Sequence, residues 1–326
     1  MVISPQFIIG VDLGGTKILT ALADMDGRLV AEVKVSTEAR EGRQHVLGRI
    51  TGSVEQVLEK AGVKPEQVQA LALGAPGPLD TRQGIIHFAP NLGWHDLPVK
   101  QVLEQRLAIP VLLDNDANLA ALGEHRYGAG RNEDNMVYIT VSTGIGGGLI
   151  LGGRLYHGSA DVAGEIGHMT VCPDGPLCSC GNRGCLEALA SGTAIAREAR
   201  ELAACGRGAG ILAESGGDPA GITAVTVAAA AAAGDAGAKS IIARAARYLG
   251  IGIANIINIL NPSLVVLGGG VMDMGELIWQ NLRPEVQART LEAAGKSARL
   301  APAELGSRAG VMGAVALALQ AGGVKN

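Results

Sequence analysis

The chain has 326 residues, a formal net charge of −4 and a pI near 5.9. That length suffices for two domains, and the mild acidity gives no general attraction to nucleic acid or to an anionic membrane. Aromatic residues make up only 2%, so stacking platforms for polysaccharide or single strands are not expected, and any sugar would be gripped mainly by hydrogen bonds.

The chain opens on an apolar run, Phe7–Val11, that ends in DLGGTK, Asp12–Lys17. Ile18–Ala23 is apolar again, and Asp26-Gly27 turns the chain into 28–35, so strand, Gly/Thr turn, strand, turn, strand is predicted. Gly14 and Gly15 remove side chains where a backbone could approach a ligand, and amides there could receive phosphate oxygens. Asp12 could hold magnesium directly or through water. A Gly-rich hairpin without any ligand is the plainer alternative. The layout recurs at Met136–Val141, Ser142–Gly148 (STGIGGG), Leu149–Leu151 and, after Gly152-Gly153, Arg154–Tyr156. Two such units suggest a duplicated architecture with a nucleotide between the halves. Neither turn is a Walker A loop, and the glycines do not form GxGxxG, which disfavours a Rossmann dehydrogenase.

Between the two repeats, helical spacing covers Gln44–Ala61 with Gly62 as its stop. Val68–Leu73 is a buried-strand candidate ending in GAPGPLD, Gly74–Asp80, and APNLGW follows with Asn91. Pro110–Leu113 is a short strand before DNDAN, Asp114–Asn118, where a helix begins that Gly128 ends. Acids and amides at a helix start satisfy its free amides. The other reading is that one acid turns outward as a general base.

The segment 163–191 holds four of the five cysteines. His168, Cys178, Cys180 and Cys185 lie in a Gly-, Pro- and Asp-rich stretch with no apolar periodicity. Such a loop cannot bury enough to hold itself together, and a Cys3His set is a common structural zinc shell. Cys172 competes as a ligand, and spacing alone does not exclude it. Glu165 and Glu187 flank the cluster, either facing one pocket or lying as solvated surface acids. The clustered cysteines and their odd number point to a reducing cytoplasm and not to a disulfide framework.

Beyond it, Thr193–Ala204 reads as a helix, 206–221 as a polar, mobile loop, and Val225–Ala233 as an alanine-rich helix without a function. Lys239–Leu260 is a long helix, Leu264–Leu267 a strand, Gly268–Gly270 a triple-glycine turn, and a helix starts at Gly275. A strand–Gly–helix unit at Gly268 and Gly269 suits an adenosine or phosphate contact, or only tight packing. Gly310–Leu319 is a terminal helix. The apolar stretch 249–271 is broken by Asn255, Asn258, Asn261 and Pro262, so no membrane span is expected, and no export signal is visible at the N-terminus.

GEIGH at Gly164–His168 and CSCGNRGCLE at Cys178–Glu187 closely resemble the signature of the ROK family of repressors, open reading frames and sugar kinases. The likeness extends to the other motifs along nearly the whole chain. It implies an α/β, duplicated actin/Hsp70/hexokinase-like (ribonuclease H-like) fold of two domains with a cleft between them. The small N-terminal domain would span 1–115 plus about 313–326, and the large C-terminal domain 116–312 would carry the zinc loop. Among the kinases the resemblance is closest to the family's glucokinases, which implies transfer from ATP to the 6-hydroxyl of glucose. Fructose, mannose, allose and N-acetylmannosamine kinases share most of these residues, and the donor could also be ADP or polyphosphate.

The resemblance further implies that Asp116 is the catalytic base. Gly77, Asn91, Asn115, Glu165, His168 and Glu187 would contact the sugar with it, and Asp114 would be structural. Zinc would sit on His168, Cys178, Cys180 and Cys185, with the second ring nitrogen of His168 facing the sugar. Asp12, Gly14, Gly15, Thr16, Lys17, Thr143, Gly144, Gly268 and Gly269 would contact ATP and its Mg2+. A dimer or tetramer is the family habit. A repressor of the family would carry a helix-turn-helix ahead of the first glycine turn, and Asp12 leaves no room for one.

Overall fold

A computed structural model describes residues 6–321. In chain order the strands and helices begin with β1 (Phe7–Leu13), β2 (Lys17–Asp24), β3 (Leu29–Ser36), α1 (Arg43–Ala61) and β4 (Val68–Ala75). Short strands β5 (Leu79–Asp80), β6 (Ile85–Ala89) and β7 (Trp94–Leu97) follow, then α2 (Val99–Leu107), β8 (Val111–Asn115) and α3 (Asp116–Tyr127). The second repeat is β9 (Met136–Val141), β10 (Ile145–Leu151) and β11 (Arg154–Leu155). Next come α4 (Leu186–Ala190), α5 (Gly192–Ala204), α6 (Ala209–Glu214), α7 (Ala224–Ala232) and α8 (Ala236–Leu260). The chain closes with β12 (Leu264–Gly268), α9 (Glu276–Arg289), α10 (Glu292–Ser297), β13 (Arg299–Pro302) and α11 (Ala309–Ala321).

The repeat seen in the glycine turns is a repeat of topology. One five-stranded sheet has the order β3-β2-β1-β4-β8 and the other β11-β10-β9-β12-β13, so the same sequence of hairpin, central strand and two added strands occurs twice. β1 pairs in parallel with β4, as β9 does with β12, which is why these strands are continuous apolar runs buried on both faces. A third sheet, β5-β6-β7, was not expected from the Gly- and Pro-rich sequence around it. The segment 206–221, read as a mobile loop, contains α6, which buries Ile211 and packs on α5 and α7.

Contacts divide the chain into unit one (Met1–Asn132, Gly148–Ala163, Glu304–Asn326) and unit two (Glu133–Gly147, Gly164–Ala303). These limits differ from boundaries at 115/116 and near 313, whose last residues, 322–326, lie outside the described ones. The reason is α3: its Leu119 and Leu122 join Val311 and Val315 of α11 against Ile8, Ala21 and Ala72 of the first sheet. A Cβ on Gly313 would fall 1.6 Å from the Leu119 carbonyl, so only glycine lets α3 and α11 approach this closely. The opposite face of the sheet buries Val46, Ile50, Val54 and Val57 of α1 against Ile9, Val11 and Leu13.

A buried acid locks α3 to the returning chain. Glu124 accepts the backbone N–H groups of Ala129, Glu304 and Leu305 at 3.0, 3.1 and 2.8 Å. Glu124→Ala leaves those donors without the carboxylate and is expected to lower unfolding free energy by about 3 kcal/mol. Urea denaturation measures this, and an unchanged midpoint would show that the latch contributes nothing.

In unit two, α8 is long and apolar enough by composition to cross a membrane, yet 61% of its most apolar window is buried. It is the core helix of that unit, packed by α4, α5, α7 and α9.

Candidate active site

In unit one, strand register aligns the chemistry. Asp12 pairs with Gly74, and Gly74 with Asp114, so β1, β4 and β8 end in one row with a side-chain-free position between two acids. α3 starts immediately afterwards at Asp116. Asn115 is its N-cap, accepting the N–H groups of Ala117 and Asn118 at 2.9 and 3.3 Å. Its side-chain carbonyl is therefore used structurally, in capping α3. Asp114, 2% exposed, accepts the Asn115 N–H at 2.8 Å.

Burial, reinforced by the negative charge of Asp116 and opposed by Lys17, pushes the Asp12 carboxyl up to about 6. A divalent cation there would relieve that cost. Gly310 lies against this carboxylate: a Cβ would fall 2.8 Å from Asp12 Cγ. No sequence pattern marks it.

The Gly14–Lys17 turn is closed by the Gly14 N–H donating to the Lys17 carbonyl at 2.9 Å. Gly14 thus keeps its amide inside the turn, and the amides of Gly15 and Thr16 are the candidate phosphate donors. Thr37 braces the turn from β3's end, donating to the Gly14 carbonyl at 2.7 Å. Asn91 comes close to Gly15, where a Cβ would be 3.5 Å from its own. Gly77 has φ 99°, and a Cβ there would fall 1.9 Å from the Phe88 carbonyl oxygen, so its glycine is demanded by the backbone.

In unit two, the second glycine turn and the cysteine loop meet through one carboxylate. Glu187 accepts the Ile145 N–H at 2.9 Å and packs on Gly144, where a Cβ would fall 2.4 Å from its oxygen. Neither contact was legible in spacing. If Glu187 contacts a sugar, as the resemblance implies, Gly144→Ala, which displaces this flexible side chain, should raise the sugar KM about tenfold with little loss of stability; a KM equal to wild type would rule that contact out.

The same turn borders a cavity of about 320 Å³ lined by Ser142, Thr143, Thr193, Arg200, Ile222–Val225 and Gly270-Val271. Thr193 Oγ1 donates to the Thr143 carbonyl at 2.8 Å, joining the turn to the start of α5. Gly269, at φ 88°, folds the triple glycine back so that the Val271 N–H reaches the Val141 carbonyl at 3.0 Å. Gly268 and Gly269 therefore shape the cavity while Gly270 lines it. Arg200 and the 222–225 segment, which sequence reading left without a role, form its other wall.

His168, Cys178, Cys180 and Cys185 place one ligand atom each within 4.8 Å of one another. Cys180 and Cys185 sulfurs are 3.7 Å apart, and Cys178 Sγ is 3.7 Å from His168 Nδ1. Tetrahedral zinc with bonds of about 2.3 Å sets its sulfurs about 3.8 Å apart, whereas a disulfide needs about 2.05 Å. The donor set fits zinc. Burial, with its sulfur neighbours, pushes the Cys185 thiol up to about 12 in the absence of a cation. Cys172 lies apart from this set and receives the Tyr248 hydroxyl at 3.9 Å. The two nitrogens of the His168 ring have different neighbours: Nδ1 faces Cys178, and Nε2 faces Glu165 at 3.9 Å.

Two sheets of matching order, each ending in a glycine turn, define a two-domain α/β protein of the actin-like sugar-kinase class. Comparison narrows the class. The ROK family model matches residues 8–321. A glucokinase of Halalkalibacterium halodurans is 39% identical over 95% of this chain and 94% of its own. The crystal structure of a ROK glucokinase from Streptomyces griseus, in complex with glucose and AMPPNP, superposes with a TM-score of 0.82 at 38% identity, covering 96% of this chain and 99% of that one. The ROK hexokinase of Thermus thermophilus gives 0.81 at 38%, covering 98% and 100%. The chain belongs to the ROK family.

Proposed function

We propose that this protein is an ATP-dependent glucokinase that phosphorylates the 6-hydroxyl of glucose. The observation that carries the reading is Asp116, set at the head of α3 beside the Asp12 carboxylate whose pKa its charge raises, in a chain similar over 96% of its length to the glucose- and AMPPNP-bound Streptomyces griseus enzyme.

Such a transfer needs alignment and charge neutralisation more than covalent chemistry. The sugar ligands would be Asn91, Asn115, Asp116, Glu165, His168 and Glu187, with Gly77 shaping its loop. Asp116 takes the proton of the attacking hydroxyl late, as the new O–P bond forms and the bond to ADP breaks. Gly15, Thr16 and Lys17 would receive phosphate oxygens. The 320 Å³ cavity beside Thr143 and Gly270 suits the adenosine. Magnesium, when bound beside Asp12, would neutralise phosphate charge. Zinc, when bound by His168, Cys178, Cys180 and Cys185, would hold the loop that carries Glu187 and fix the imidazole. Paired acceptors on adjacent hydroxyls discriminate hexoses, because an inverted hydroxyl leaves one acceptor unpaired.

A coupled nucleotide-turnover assay across a panel of hexoses and donors tests the reading. Glucose with ATP should give the highest kcat/KM. Preference for fructose, mannose, allose or N-acetylmannosamine, or for polyphosphate, would replace the substrate, and silence with every hexose would remove the activity. A DNA mobility-shift assay run alongside should be negative. The expected assembly is a homodimer or homotetramer, measurable by light scattering, in the reducing cytoplasm that suits five free cysteines.

A further inference from the structure

We propose that His157 is a positioning residue for the Asn115–Asp116 turn, acting through the buried carboxylate of Asp114. The inference rests on the reading of Asp116 as the base.

Asp114 is the pin of that turn. One oxygen, Oδ1, accepts the Asn115 N–H at 2.8 Å and the Asn118 Nδ2–H at 3.1 Å, holding both the residue before Asp116 and the first turn of α3. The other, Oδ2, receives His157 Nε2 at 2.7 Å. A carboxylate that is 2% exposed is costly to keep charged without a partner. His157 supplies the compensating hydrogen bond, which is an ion pair when its ring is protonated.

His157 is itself held firmly. It lies 43 residues from Asp114 in sequence, just after β11. Its carbonyl accepts the Ala163 N–H at 3.1 Å, closing 157–163 into a compact loop. Asp161 in that loop accepts both the N–H and the hydroxyl of Thr81 at 2.9 Å. The imidazole is thus delivered by a loop with its own anchor on unit one. Asp114 and Asp161 are the charged groups that face it; the hydrogen bond to Asp114 raises its pKa, burial opposes, and both negative charges add to the rise. Without His157, Oδ2 loses its partner, the carboxylate is free to turn, and the two bonds on Oδ1 loosen. Asp116 then carries its carboxylate out of line.

The test compares His157→Ala, His157→Gln, Asp114→Asn and the double variant His157→Ala/Asp114→Asn in the full-length enzyme. His157→Ala should lower kcat about 10–100-fold, the cost of a small misplacement of a base, while the KM for ATP stays within about twofold. His157→Gln, whose amide can donate to Oδ2, should recover kcat to within about threefold. The double variant should be no slower than the slower single one, because both break the same link. A wild-type kcat in His157→Ala, a loss that Gln does not rescue and that follows only the melting temperature, or additive effects would each overturn the positioning role. If the wild-type enzyme turns over no hexose, the base assignment and this inference fall together; normal wild-type turnover with an unimpaired His157→Ala removes the inference alone.

Discussion

Asp116→Asn is expected to bind glucose much as wild type does and to turn it over about 10²–10⁴-fold more slowly, the usual contribution of a positioned general base. The substitution is nearly isosteric. Its side-chain carbonyl can still accept the Ala117 N–H that Asp116 holds at 2.8 Å, so α3 should keep its first turn. Asn115 and Asp114 make their own bonds and are not disturbed. What disappears is the proposed acceptor for the hydroxyl proton. Neutralising Asp116 also removes one cause of the raised Asp12 carboxyl, so binding of the magnesium–nucleotide complex should not weaken. Calorimetry for glucose beside a turnover assay reads both effects. A variant that phosphorylates glucose at near-wild-type rate would end the assignment.

Chelation should raise the KM for glucose about 10–100-fold before the protein unfolds as a whole, the usual scale for disturbing an orienting shell. With Nδ1 directed at Cys178 and Nε2 at Glu165, the cluster decides which face of the imidazole the sugar would meet. Cys185 is two residues from Glu187 and wholly buried, so the same loop carries the second sugar ligand proposed above. The KM for ATP should change little, because the Thr193–Thr143 bond and the Gly269 turn hold the cavity proposed for adenosine without the cysteines. One zinc per chain is expected by elemental analysis. Cys178→Ser and Cys185→Ser should lower it, and Cys172→Ser and Cys205→Ser should not. Zinc-free enzyme that stays folded with an unaltered sugar KM would break the link between metal and substrate.

Motifs whose meaning is carried by adjacent residues were readable before any coordinates. The two strand–glycine turn–strand units became two sheets of identical order, and the Asp114–Asn118 run became a strand end, a cap and a helix start. His168 and its three cysteines came together as one donor set. The three-stranded sheet escaped notice because β5 is two residues long and Gly and Pro surround it. α6 escaped because glycines on both sides made its six residues look like loop.

Other features depend on segments far apart in the chain. Glu187 on the Ile145 amide, Gly310 against Asp12, His157 on Asp114 and the 222–225 wall of the cavity have no local signature. Residue order alone held the chemical inventory: the acids, the amide caps, the clustered cysteines with their histidine and the glycines that bend the backbone. Folding selected which acid is pinned, which amide is already engaged and which glycine is needed for closeness. The difference is one of range. Periodicity and capping act over one or two turns of backbone, whereas burial and charge pairing are set by whatever distant side chain the packed core brings alongside.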